Sequence, residues 1–467
     1  MRWLARTAGM IAAGFAMAAM AVAAPVNGVR PGYYPFPQSE GGLVVLGFAG
    51  DLGFSGHNMP PSTLGAVKYG ALVPWARMTE KIAPLLRGAD ANFANLETVV
   101  TPRADLTPID KAYNFAGSPE GLRQAVAAGV SVVTAANNHA GDYGTAGIEE
   151  TLAQLAAAKA QGLKAAAGLG IGSDRYKPDV FTLGETRVGV AAVGIGINHA
   201  GPSGAGQPLY ASPADVQRVA RELAAAEADV RVLSVHYGRE LEVLPAETDR
   251  RRLRNAADAS GASILFAHHS HVPSGVERRG EGVIFYGLGN FLHPGTQDLS
   301  RYDQCRDFGL YAKVYLWVAP GLQPVIRAVE LVPLRGTHIT PEPFPPAEAA
   351  RRIALVNGMS AALAEDGREP LRFSDTGASS GLACFGPQIA YGDALAARCR
   401  GLSPLTPASV AASACKPLAP VTPPAATAQA RPLVPKAKPA PKPLATAEVA
   451  RPAPAKQKTF FLLKLID

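Results

Sequence analysis

Between residues 42 and 335, short runs rich in β-branched and aromatic residues alternate with longer Ala- and Leu-rich stretches of helical period. That alternation is the pattern of an α/β domain. Leu43–Phe48, Ala89–Ala94, Val130–Ala135, Val188–Val193, Val230–Val235, Ser263–Ala267 and Val283–Tyr286 read as strands. Pro119–Ala128, Gly147–Gln161, Pro213–Glu227 and Glu247–Ser260 read as helices. Polar residues gather where strands stop. Asp51 follows one strand, Glu97 another, Asn137-Asn138-His139 a third, His236 a fourth and His268-His269-Ser270-His271 a fifth. In α/β folds ligand groups collect at such carboxyl ends, where loops converge while the sheet fixes their bases.

Taken singly, these groups have plain explanations. Gly50-Asp51 reads as a turn, Glu97 as a helix cap, Asn137-Asn138 as a turn stabilised by side-chain hydrogen bonds, and His236 as a core histidine. Three clustered imidazoles at one strand end are costly to bury unless something binds them. All five groups together point to a metal-centred site. Carboxylates neutralise a divalent cation, and a bridging one can hold two cations about 3.5–4 Å apart. Neutral histidine and an asparagine carbonyl complete coordination without excess charge. An O/N donor set without thiolate suits Mn, Fe, Zn or Mg, as one or two ions, rather than copper. Such ions generate hydroxide near neutral pH and polarise a phosphoryl or carbonyl oxygen, while an unliganded histidine protonates the leaving group.

The ordered series GD (50–51), NLE (95–97), ANNHAGDYG (136–144), HYG (236–238), HHSHV (268–272) and YGLGNF (286–291) resembles the CapA family of poly-γ-glutamate capsule-synthesis proteins. That family lies within the calcineurin-like metallophosphatase superfamily. The resemblance covers roughly residues 42–295 in motifs and extends to about 366 in layout. It implies a four-layer α/β/β/α sandwich with the site above the central strands. By motif position, Asp51 and His271 would ligate one metal, Glu97 would bridge, and Asn138, His236 and His269 would ligate a second. His139 takes the place of the catalytic acid or transition-state stabiliser, and Asp142 either orients His139 or caps the next helix. Asn137 and His268 would orient ligands through hydrogen bonds. Typical members of the superfamily carry a histidine two residues after the first aspartate. Gly53 stands there in this chain, with His57 the nearby substitute, and Ala267 stands where a glycine commonly precedes the histidine pair.

The implied function is that of an exported protein of capsule, poly-γ-glutamate or related envelope-polymer biosynthesis, acting as a metal-dependent phosphoesterase-type hydrolase. The alternative is a non-catalytic polymer-binding or assembly component of an envelope-polymer machine. The implied partners are an anionic envelope polymer or phosphoester substrate and a membrane-bound polymer synthase complex.

Composition locates the protein more than it explains the chemistry. The 467 residues carry a net charge of +7. Residues 416–458 hold eight Lys/Arg against one Glu, and the first 24 residues hold Arg2 and Arg6, which leaves residues 25–415 at −2. The body therefore lacks the net positive charge expected of a nucleic-acid reader, and the basic stretch 416–458 has no aromatic residue for base stacking. Arg2 and Arg6 precede an uncharged run ending at Val22-Ala23-Ala24, the pattern of a signal peptide over 1–24 or an uncleaved anchor. A periplasmic or extracellular location, free or tethered, follows. In that setting Cys305, Cys384, Cys399 and Cys415 can form two disulfides, with Cys384–Cys399 preferred because its loop is short. The metallophosphatase domain is expected over 42–335 and an extension carrying those disulfides over 336–415. The Pro/Ala/Lys-rich segment from 416 to 467 is expected to be a disordered spacer.

Overall fold

The computed structural model describes residues 42–196, 203–319, 321–364, 369–386, 393–410 and Cys415. The expected signal segment and the basic tail lie outside these residues. In chain order the main elements begin with β1 (Gly42–Leu52), β2 (Ala91–Leu96), α1 (Pro119–Ala128) and β3 (Val132–Thr134). Next come α2 (Gly144–Lys159), β4 (Ala165–Ala167), β5 (Asp179–Leu183), β6 (Thr186–Gly194) and α3 (Pro213–Ala225). β7 (Val230–His236), α4 (Glu247–Ser260), β8 (Ile264–His268), β9 (Val276–Arg279), β10 (Gly282–Phe285) and β11 (Asn290–Leu292) follow. β12 (Gly309–Val318), β13 (Val325–Arg335), α5 (Pro346–Leu363), β14 (Ser374–Asp375), β15 (Gly381–Cys384) and α6 (Asp393–Cys399) complete the set.

The first sheet has ten strands, ordered β14-β15-β13-β12-β1-β2-β3-β4, with β11 paired to β1 and Glu342–Pro343 paired to β13. The second has six, ordered β5-β6-β7-β8-β10-β9. In each sheet the strands that carry the site run parallel, β1-β2-β3 in one and β6-β7-β8 in the other, so their carboxyl ends fall along one edge. Apolar side chains between the sheets form one core. Leu46, Phe48, Phe93 and Val132 pack with Val190, Val232, Phe266 and Phe285, and the Phe48 and Phe266 rings meet edge-on at 5.2 Å. Burying each such side chain contributes roughly 1.5–3 kcal/mol.

The outer faces need covers of their own. Leu122, Ala125 and Leu155 of α1 and α2 pack on Leu96 and Val133 behind the first sheet. Val219, Leu223, Leu253 and Ala256 of α3 and α4 pack on Leu233, Val235 and Leu265 behind the second. The result is the four-layer α/β/β/α sandwich expected from the resemblance.

Local chemistry sets the helix starts. Ser118 and Ser212 accept hydrogen bonds from the backbone N–H groups of Glu120 and Asp215, and a proline follows each cap. That combination satisfies otherwise orphaned donors and pre-sets the first helical φ. The chain after residue 335 joins the first sheet through β15, which pairs with β13. α5 adds Ile353 and Val356 to the inter-sheet core. Cys384–Cys399, the expected pair, ties β15 to α6 with Cα atoms 6.1 Å apart, and Cys305–Cys415 is the second bridge. Among the described residues, no helix is long and apolar enough to cross a membrane.

Candidate metal centre

Register brings the site together. Asp51 at the end of β1 lies level with Asn95 of β2 and Asn290 of β11, while His236 of β7 lies level with His268 of β8. The backbone N–H of Glu97 donates to Leu52 O at 2.8 Å, which holds the residue after β2 beside the end of β1. The turn after β8 is tight. His269 and His271 both adopt positive φ, 90° and 58°, a conformation that costs a non-glycine residue about 1–3 kcal/mol and turns both rings toward the carboxylates.

Two overlapping donor sets result. Asp51, Glu97 and His271 form one, Glu97, His236 and His269 the other, with the ligand atoms of each set all within 4.8 Å of one another. Glu97 belongs to both. Its Oε1 lies 3.3 Å from His236 Nε2 and its Oε2 lies 3.8 Å from His271 Nδ1. His271 Nδ1 lies 3.2 Å from Asp51 Oδ2 and 3.0 Å from Asn290 Oδ1. His236 Nε2 lies 2.6 Å from Asn138 Oδ1 and 3.1 Å from His269 Nδ1.

The donor atoms fit a divalent cation. Asp51 and Glu97 are fully buried, yet Asp51 Oδ2 and both Glu97 oxygens accept no hydrogen bond. A buried, unpartnered carboxylate is expensive, and a cation is what would compensate it. Burial pushes Glu97 up to about 8, and the adjacent Asp51 charge adds to that. For Asp51, burial works upward, but the adjacent His271, 3.2 Å from Oδ2, holds it below the usual carboxylate range by its charge. Burial lowers His236 and His268 to about 3, so both rings are neutral. Neutral imidazole is the form that binds a metal.

A second cluster adjoins the first. His139 Nδ1 lies 2.7 Å from Asp142 Oδ2, so of the two expected roles Asp142 takes that of orienting the ring. Lys111 donates to Asp142 Oδ1 and to Asn138 O, both at 2.8 Å, and the His139 ring rests on Phe115 with centroids 4.2 Å apart. Asn137 Oδ1 accepts from the His139 N–H at 3.0 Å, and its Nδ2 donates to Leu96 O at 2.8 Å, bracing the loop that carries Asn138 and His139.

The Bacterial capsule synthesis protein PGA_cap model matches residues 45–294. The chain belongs to that family. It is 29% identical over 214 residues to the PGA biosynthesis protein CapA of Bacillus subtilis, covering 45% of this chain and 55% of that protein. It is 27% identical over 223 residues to the capsule biosynthesis protein CapA of Bacillus anthracis, covering 45% and 52%. It thus spans about half the length of these curated relatives. A probable polyglutamine synthesis accessory protein of Mycobacterium tuberculosis is 29% identical over 280 residues, 57% of this chain and 70% of that one. Among solved structures, calcineurin-like phosphoesterase YfkN from Bacillus subtilis aligns over 61% of this chain and 90% of its own at 12% identity and a TM-score of 0.34.

All ten residues singled out from the motifs of this PGA_cap chain lie in or against the site, but two expectations change. His57 is not a substitute for the missing histidine: it is exposed and packs edge-on against Tyr113, centroids 5.3 Å apart. His268 orients no ligand through a hydrogen bond, because neither ring nitrogen makes one; it stands 3.6 Å from Asp51 Oδ1, against the Phe266 ring.

Four contributors carried no assignment from sequence. Asn95 donates to Asp51 Oδ1 at 2.8 Å, Asn290 holds His271, Lys111 reaches the Asp142 pair, and His293 brings Nε2 within 3.5 Å of Glu97 Oε2. Asn95 and Asn290 sit inside motifs that were visible. Lys111 is brought in by a loop and His293 by the chain directly after β11, two residues beyond the YGLGNF segment, and no spacing rule announces either.

Proposed function

We propose that this chain is an exported, metal-dependent phosphoesterase-type hydrolase of capsule, poly-γ-glutamate or related envelope-polymer biosynthesis. Asp51, Glu97, Asn138, His236, His269 and His271 would hold one or two divalent ions, Mn, Fe, Zn or Mg. Bound there, the ions would supply charge neutralisation and Lewis acidity toward a phosphoryl oxygen. The remaining steps belong to the protein. Asp142 accepts from His139 Nδ1 and so fixes the ring with Nε2 available to give a proton to a departing oxygen. Lys111 places a cationic group beside that ring, where an anionic substrate gains from it. Asn95 and Asn290 hold Asp51 and His271 in position.

The observation that carries this reading is the Asp142–His139 pair set beside two carboxylates whose buried oxygens accept nothing. A polymer-holding site has no need of an oriented imidazole. The names of the relatives supply the envelope-polymer setting, and the N-terminal pattern supplies export.

The test is Mn-stimulated hydrolysis of a chromogenic phosphodiester. His139→Ala is expected to lose roughly 10²–10⁴-fold in kcat, the usual worth of general acid catalysis, with Mn binding retained. Turnover by the variant equal to wild type, or none by either protein with Mn, Fe or Zn, refutes the hydrolase reading.

A further inference from the structure

We propose that His293 supplies the ring nitrogen that the first motif lacks, completing the donor set of Asp51, Glu97 and His271 from a different strand. Gly53 is the opening that admits it. This rests on the metal-centre reading of the site.

His293 follows directly on β11, and β11 runs parallel to β1, pairing Asp51 with Asn290 and Leu52 with Leu292. The Gly53 N–H donates to Leu292 O at 2.8 Å, so the residue after β1 and the residue before His293 are locked together. The His293 ring then lies directly over Gly53. A Cβ on Gly53 would stand 2.9 Å from Cε1 and 3.0 Å from each ring nitrogen of His293. A side chain at 53 and an imidazole from 293 are therefore alternatives for one space, and this chain has the imidazole.

The ring is also in the wrong place for a core residue. His293 is fully buried, and neither Nδ1 nor Nε2 makes a hydrogen bond. Nε2 lies 3.5 Å from Glu97 Oε2, an oxygen that likewise accepts nothing, and the ring stands 6.0 Å from that of His271 and 5.0 Å from that of Phe115. A buried polar group normally finds a partner, and leaving one unmade costs about 1–3 kcal/mol. A neutral imidazole and a carboxylate oxygen with unused lone pairs, facing each other beside Asp51, are the two halves of a cation's ligand set.

The test is titration of the metal-stripped full chain with Mn²⁺ alone by calorimetry, on wild type, His293→Ala, His293→Gln, Gly53→Ala and the Gly53→Ala/His293→Ala pair. Wild type is expected to bind two ions. Each His293 variant should weaken one binding step by at least roughly tenfold, the lower end of what loss of metal-site support costs, and leave the other intact. His293→Gln keeps the space filled, so its loss is not a packing effect. Gly53→Ala should weaken the same step by displacing the ring, and the double variant should be no worse than His293→Ala, because residues acting through one contact are not additive. Two Mn²⁺ ions at wild-type affinity in both His293 variants overturn the proposal while the metal centre stands. No Mn²⁺ binding by wild type overturns the metal-centre reading itself. Additive losses in the double variant overturn the role given to Gly53.

Discussion

Glu97 and Asp51 place three carboxylate oxygens in the protein interior with no hydrogen bond to any of them. The protonation of the cluster shows what that costs. Burial and the Asp51 charge raise Glu97 from 4.5 to about 8. Burial opposes protonation of His271, but the Glu97 and Asp51 charges outweigh it and raise the ring from 6.5 to about 10. Both groups hold a proton more tightly folded than unfolded, so the stability they contribute to the metal-free protein is lost as pH rises, whereas the depressed rings of His236, His268 and His269 act in the opposite sense below 6.5. The Glu97 contribution falls between 4.5 and about 8, the His271 contribution between 6.5 and about 10. Thermal unfolding in chelator, followed from about pH 7 to about pH 9, where the depressed rings are neutral folded and unfolded, should show that decline, and added Mn²⁺ should offset it. Glu97→Gln should flatten the slope, raise the melting temperature of the metal-free protein at the alkaline end and abolish stabilisation by Mn²⁺. A melting temperature in chelator that rises between about pH 7 and about pH 9 contradicts this. At this scale the sequence revealed donors whose residue type stands out at a strand end, such as Asp51 and His236. It concealed His293, whose role depends on a space left by a glycine 240 positions away, and Lys111, which is delivered by an irregular loop.

Among the elements, the strands and helices read from the sequence lie within four residues of the observed bounds. α1 and α4 have the bounds read from the sequence, and α2 begins three residues earlier, at Gly144. The long antiparallel pair β12 and β13 and helix α5 were not read. Both faces of β12 and β13 are buried on nearly every residue, which erases the alternation that marks a strand half in water. The functional geometry depends on one close approach between elements. A Cβ on Gly50 would stand 1.7 Å from Gly289 O, the same oxygen that accepts from the Asp51 N–H. Gly50→Ala must therefore push β1 and the β10–β11 connection apart. It should destabilise by about 3 kcal/mol, the upper range of ordinary overpacking, and weaken Mn²⁺ binding as well. A Gly50→Ala protein with wild-type urea midpoint and Mn²⁺ affinity would show that the clip does not position Asp51.

Across the whole molecule, chemistry and charge occupy different parts of the chain. The site lies along the edge where two sheets end, one supplying Asp51 and Glu97 and the other His236, His269 and His271. The termini carry +9 and residues 25–415 carry −2, which together make the net +7. Removing residues 416–467 is expected to leave phosphodiester turnover unchanged and to weaken retention on poly-γ-glutamate in a salt-sensitive way, as unselective attraction to a polyanion requires. Unchanged retention would show that the tail takes no part in holding the polymer. The proposed chemistry requires the buried cluster to be a divalent-metal centre. The most direct measurement is the number of Mn²⁺ ions held per chain at equilibrium dialysis, for wild type and for Glu97→Gln/His236→Ala. Two ions on the wild type and none on the variant is the expected result; no more metal on the wild type than on the variant would contradict it.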